Sequence, residues 1–173
     1  VPRNALLRVL DGVADRVGAR RRQLKVGDTW TEGEVSIRVL HAPPPDWERP
    51  RVRNDDSVVL LVRYRTMEIL LTGDVGADVE RDLVASGALT PPAPGVLRVL
   101  KVAHHGSRTS TSAQLLAAWQ PSVALISCGR GNRFGHPAPE VLERLAETGA
   151  AVYRTDTGGA RSEEHTSELQ SRV

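Results

Sequence analysis

The sequence predicts an α/β fold, a single domain of mixed sheets covered by helices. Strand-type and helix-type periods alternate along the chain from about residue 35 to residue 153. The run Val58-Val59-Leu60-Leu61-Val62 is apolar without alternation, as strands buried on both faces are. Several such runs end in glycine with an aspartate or histidine beside it, which places polar chemistry at strand ends. A length of 173 residues suits one domain with one core.

In chain order, Leu6, Leu10, Val13 and Val17 recur at helical spacing, with Asn4 as cap and Gly18 as stop. Arg20-Arg21-Arg22 opens a short strand to Val26, read as a solvated edge rather than a phosphate contact. Gly27-Asp28 and Glu32-Gly33 are turn signals. Val35, Ile37 and Val39 alternate with Ser36 and Arg38 in a half-buried strand that His41 closes, and Pro43-Pro44-Pro45 starts a loop to about Arg53. Ser57 to Tyr64 and Met67 to Thr72 form a hairpin through Arg65-Thr66. Val75, Val79 and Leu83 mark one face of a helix over residues 76–86, with Glu80 read as surface charge. A proline-bearing loop over 87–95 leads into the strand Leu97 to Leu100. Ser112 to Trp119 is a helix with Leu115, Leu116 and Trp119 inward, and Val123 to Ser127 is a strand. Pro139 starts a last helix, and Ala151-Val152-Tyr153 closes the fold.

Composition excludes more than it selects. A formal charge of +2 is too small to argue for nucleic acid by itself. Cys128 is the sole cysteine, so no internal disulfide forms. No apolar run approaches membrane-spanning length.

The chemistry sits in three stretches that each follow an apolar run. His104 and His105 close the first, before Gly106 and a series of hydroxyls that begins at Ser107. Neutral imidazoles are common metal ligands, and in a strand the two rings would point to opposite faces, so at most one of them is a primary ligand; the alternative is a polar loop with two solvated histidines. Asp74 ends the second stretch, either as a strand-end carboxylate or as cap of the following helix. The third, Asn132-Arg133-Phe134-Gly135-His136-Pro137, lies in a glycine-rich loop with Arg130, whose amides and guanidiniums suit a phosphate.

Leu-Leu-Thr-Gly-Asp (70–74), Leu-Lys-Val-Ala-His-His-Gly-Ser (100–107) and Asn-Arg-Phe-Gly-His-Pro (132–137) occur in that order, with Asn54-Asp55-Asp56-Ser57 before them and Tyr153-Arg154-Thr155-Asp156 after. In this order they resemble the metallo-β-lactamase-type domain of the ComEC competence family, over about residues 1–160. The resemblance implies an αββα sandwich, here incomplete, and a hydrolase that cleaves single-stranded DNA with a water activated by a divalent metal, zinc or manganese. The family's His-x-His-x-Asp-His motif is absent, and Val1 is expected to begin just downstream of it. Asp74 and His104 are then the metal ligands, with His105 the alternative ligand and, with Asp74 and His136, the catalytic set. Asn54 occupies a slot that the family usually gives to a histidine. Asn54, Ser107, Arg130, Asn132 and Arg133 are expected to meet substrate. The intact parent would be anchored in the membrane by upstream segments, and this piece alone would bind metal poorly and be inactive. The alternatives are a freestanding hydrolase of the same fold and a degenerate domain that binds DNA or a partner without cleaving. Residues 161–173 resemble a translated sequencing adaptor and are expected to be a disordered tail outside the fold, so His165 is not counted as a ligand.

Overall fold

The computed structural model describes residues 5–19, 22–43 and 53–159. The Asn4 cap, Arg20 and Arg21, Pro44 and Pro45, and the tail over 161–173 lie outside the described residues. In order the elements are α1 (Ala5–Arg16), β1 (Thr29–Glu32), β2 (Val35–His41), β3 (Val59–Tyr64), β4 (Met67–Leu71), α2 (Ala77–Ala85), β5 (Leu97–Lys101), α3 (Ala113–Trp119), β6 (Val123–Ile126), α4 (Pro139–Glu147), β7 (Ala151–Arg154) and α5 (Thr155–Gly158).

The strands form one mixed sheet of seven in the order β1-β2-β3-β4-β5-β6-β7. The first four make an antiparallel meander, and β5, β6 and β7 run parallel to β4. Crossovers between parallel strands are right-handed, and here each steps the same way across the sheet. That puts α2, α3 and α4 on a single face. Leu61, Leu70, Leu100, Val102, Ala124 and Ile126 meet Val79, Leu83, Leu115, Leu116, Trp119, Val141 and Leu145 there in one core. The other face carries the alternate strand residues. Among these Leu71, Leu97, Leu125 and Tyr153 stay exposed. Of the two sheets expected, the described residues contain one.

Two sequence expectations are corrected. No strand forms at Arg22–Val26, because the chain there closes a turn in which Lys25 N donates to Asp28 Oδ2. The strand is Thr29–Glu32 instead, a β-branched and aromatic segment that hairpins onto β2. Glu80 is no surface charge. It is fully buried, and its carboxylate accepts from Thr111 N at 2.5 Å and Ser112 N at 2.7 Å, tying α2 to the start of α3.

Arg98 is buried for a comparable reason. Its guanidinium stacks 4.2 Å from the Trp119 ring centroid, bonds Glu68 at 2.8 Å, and donates to the carbonyls of Trp119 and Thr90. Burial pushes the Glu68 carboxyl up, but Arg63 and Arg98 outweigh it and hold that acid below its ordinary value.

Candidate functional site

Parallel strands end at one edge of a sheet, and an antiparallel neighbour begins there. Leu60 of β3 pairs with Leu71 of β4, so Asn54–Ser57, which precedes β3, lies beside Gly73-Asp74, which follows β4. The turn after β5, the loop after β6 and the end of β7 share that edge. Topology alone therefore gathers the five motifs.

They lock to one another through backbone groups. Asp55 Oδ1 accepts from Gly76 N at 2.7 Å, so the α2 N-terminus is held by a side chain from across the sheet. Asp74 does not cap α2; the cap position is Gly76. Ser57 Oγ accepts from Asp74 N at 3.1 Å. Gly73, at φ +60°, lies so near Ser57 that an added Cβ would sit 2.6 Å from the serine Cβ. His41 Nε2 bonds Asp55 O at 2.9 Å, which gives that histidine a structural partner.

His104 and His105 do not alternate as strand residues. They occupy a 3-10 turn, Ala103–Gly106, with left-handed backbones at φ +47° and +56°. Left-handed geometry costs a residue with a Cβ roughly 1–2 kcal/mol. Bonds from His104 N to Gly73 O and from Ser107 N to His104 O hold the turn in place.

The two rings have different surroundings. His105 Nδ1 lies 2.6 Å from Ser127 O. A carbonyl only accepts, so Nδ1 carries the proton and a neutral ring leaves the Nε2 lone pair free. That Nε2 lies 3.8 Å from Asp74 Oδ2. His104 faces the Asn54 amide, whose Nδ2 is 3.3 Å from both ring nitrogens, and stands edge-on to His136 at 5.7 Å between centroids. Asp74 thus meets His105, while His104, Asn54 and His136 cluster beside them.

Lys101 completes this edge. Its Nζ donates to Gly73 O and Val102 O and lies 3.9 Å from Asp74 Oδ1. Burial lowers its pKa while the Asp74 charge opposes the shift. The sequence did carry a signal for it: a lysine four residues beyond Leu97 and two beyond Val99, at the alternation of an apolar face.

The loop after β6 is arranged around His136. Asn132 Nδ2 donates to Gly129 O and His136 O, and its Oδ1 accepts from His136 N, so the amide is engaged in shaping the loop. Burial, and then the neighbouring His104, His105 and Arg108, lower the His136 pKa and favour the neutral ring. Its Nδ1 is buried without a hydrogen-bond partner among the described residues. Gly106 backs onto Pro137 so closely that a Cβ there would lie 2.5 Å from the proline Cβ.

Ser107 is buried, and its hydroxyl bonds Thr109 Oγ1 at 3.1 Å. Arg130 Nε donates to Asp156 O, and Arg133 lies 4.9 Å over the Phe134 ring. Arg154 holds the Asp156 carboxylate in two hydrogen bonds and keeps its pKa down at about 2. Cys128 is joined to Thr155 through its backbone, and burial with Asp156 pushes its thiol up, away from thiolate chemistry.

Zinc sites take three or more protein ligands. No three His, Cys, Asp or Glu side chains gather round one point among the described residues. Among the described residues, Asp74, His104 and His105 thus do not converge on one point.

The fold defines a mixed α/β domain whose Asp74, His104, His105 and His136 gather at the carboxyl ends of its parallel strands, where open α/β sheets bind ligands. No family model matches the chain. It is 34% identical over 143 residues, 82% of its length, to ComE operon protein 3 of Bacillus subtilis. Over 109 residues it is 40% identical to Recombination protein 2 of Haemophilus influenzae and 37% identical to competence protein ComA of Neisseria gonorrhoeae, covering 63% and 62% of this chain. It spans 17%, 13% and 15% of the lengths of these three proteins. A solved structure named as a metal-dependent hydrolase, from Parabacteroides distasonis, aligns with a TM-score of 0.46 at 18% identity, covering 84% of this chain and 62% of that one. The chain belongs to the ComEC competence family. No helix among the described residues is long and apolar enough to cross a membrane.

Proposed function

We propose that this chain forms one side of a phosphodiester-cleaving site in a DNA-uptake protein, acting on single-stranded DNA. The observation that carries the reading is the pairing of Asp74 with His105, whose tautomer the Ser127 carbonyl fixes. A ring held with Nδ1 protonated offers Nε2 to take a proton from an attacking water, and the adjacent carboxylate stabilises the resulting imidazolium. His136, favoured neutral, serves as a hydrogen-bond donor to a phosphate oxygen, and Arg133 meets the anion from the rim.

Asp74 with His105 or His104 supplies two of the donors that a zinc or manganese ion would require. The others would come from outside the described residues; held by these two donors alone, such an ion binds weakly and the strand is not cleaved. Membrane anchoring belongs to the same proposal for the intact protein.

The test uses the parent protein that contains this chain, with an end-labelled single strand and added divalent metal. Asp74→Asn and His105→Gln each lower cleavage by roughly 10²–10⁴-fold with the fold retained. Cleavage at the parental rate in both variants would overturn the assignment. A second reading, binding without cleavage, is favoured by one observation: Asn54, in the slot the resemblance gives to a histidine, faces His104 with an amide. A parent that binds the strand but leaves it intact would select that reading.

A further inference from the structure

Phe134 has no place in the core or in the chemistry above, yet it stands at the mouth of the site. Its ring is 66% exposed. Burying a phenylalanine gains about 1.5–3 kcal/mol, so one left in water at a loop tip calls for a reason.

Its setting is specific. The ring lies nearly parallel to the His136 imidazole, with 20° between planes and 5.9 Å between centroids. The Arg133 guanidinium lies over it. Together with His105, Ser127, Asn132 and His136 it lines a cavity of about 450 Å³. The loop beneath is held by the three Asn132 bonds and by Arg130 on Asp156 O, so the ring has a fixed support.

We infer that Phe134 is a stacking platform for a nucleobase, a subsite that holds the base next to the phosphodiester presented to His105 and Asp74. The inference rests on the phosphodiester reading above. Single-strand binders join aromatic faces to cationic groups, and stacking tolerates any sequence because every base has a π-face. Arg133 fits this use: its long, exposed side chain can leave the ring for the flanking phosphate as the base arrives.

The experiment measures fluorescence anisotropy of a labelled oligothymidylate and of an abasic strand with the same number of phosphates. Each is titrated with the 173-residue chain and with its Phe134→Ala and Phe134→Trp variants, and circular dichroism checks the fold of each. The original chain should bind the base-bearing strand roughly tenfold more tightly than the abasic one. Phe134→Ala should remove that preference while leaving abasic affinity unchanged, and Phe134→Trp should restore it. Equal, salt-sensitive binding of both strands by the original chain and Phe134→Ala would overturn the platform and leave the phosphodiester reading standing. Absence of binding to either strand would overturn the platform, while the phosphodiester reading is decided separately by cleavage in the parent protein.

Discussion

Removing the Glu80 carboxylate tests how the site is supported from behind. Glu80→Ala takes away the acceptor for Thr111 N and Ser112 N, and Thr111 Oγ1 accepts from Ala103 N in the turn that carries the histidines. Thr111 is fully buried with a left-handed backbone at φ +56°, so its amide has no access to water and its geometry is held by contacts. Each buried donor left unsatisfied costs about 1–3 kcal/mol. Two of them, with the cavity left by the side chain, give an expected loss of about 3–5 kcal/mol. Against a typical domain stability of about 5–15 kcal/mol this is a large fraction. Glu80→Gln keeps the volume and one acceptor but sets an NH2 against a backbone N–H, for a loss of about 2 kcal/mol. Urea unfolding followed by tryptophan fluorescence measures both, since Trp119 is buried in the same core. A Glu80→Ala variant within 1 kcal/mol of the parent chain, on the scale of one ordinary hydrogen bond, would refute the argument.

Three further outcomes follow from the same contacts. Arg98→Met leaves the Glu68 carboxylate with Arg63 alone and strands two carbonyls, and should cost about 3–5 kcal/mol in urea unfolding; adding Glu68→Leu should recover part of that loss. Gly106→Ala combines φ +84° with a Cβ 2.5 Å from Pro137. It should destabilise by about 2–4 kcal/mol in thermal unfolding and shift the NMR signals of His104 and His136. The Asp156 pKa is lowered to about 2 from an ordinary 3.8, so its contribution is complete above pH 3.8 and lost as pH falls through 2. An acid titration of Asp156→Asn should therefore lack the loss of stability that the parent chain shows between those values.

The strands from residue 59 onward were legible because apolar runs bounded by turn residues have few other solutions. The same holds for α2, α3 and α4, whose apolar spacing matches the faces that are buried. The β1 strand was missed because Thr29–Glu32 lies between two turn signals that both belong to its own hairpin. The placement of Asp74, His105 and His136 near one another came from ordered motifs, and the structure brings them to a common edge. Their hydrogen bonds were not legible. Ser127 O on His105 and Asn54 on His104 join residues 22 and 50 positions apart.

By itself the sequence determined the alternation of elements, the helical core faces and the order of the five motifs. Each of these depends on spacing along the chain, which local periodicity records. Tertiary structure decided which histidine meets Asp74, why Glu80 and Arg98 are buried, and where Phe134 stands. Those depend on distances across the sheet. The single direction of the crossovers fixes them by bringing every parallel strand end, and the start of β3, to the same edge.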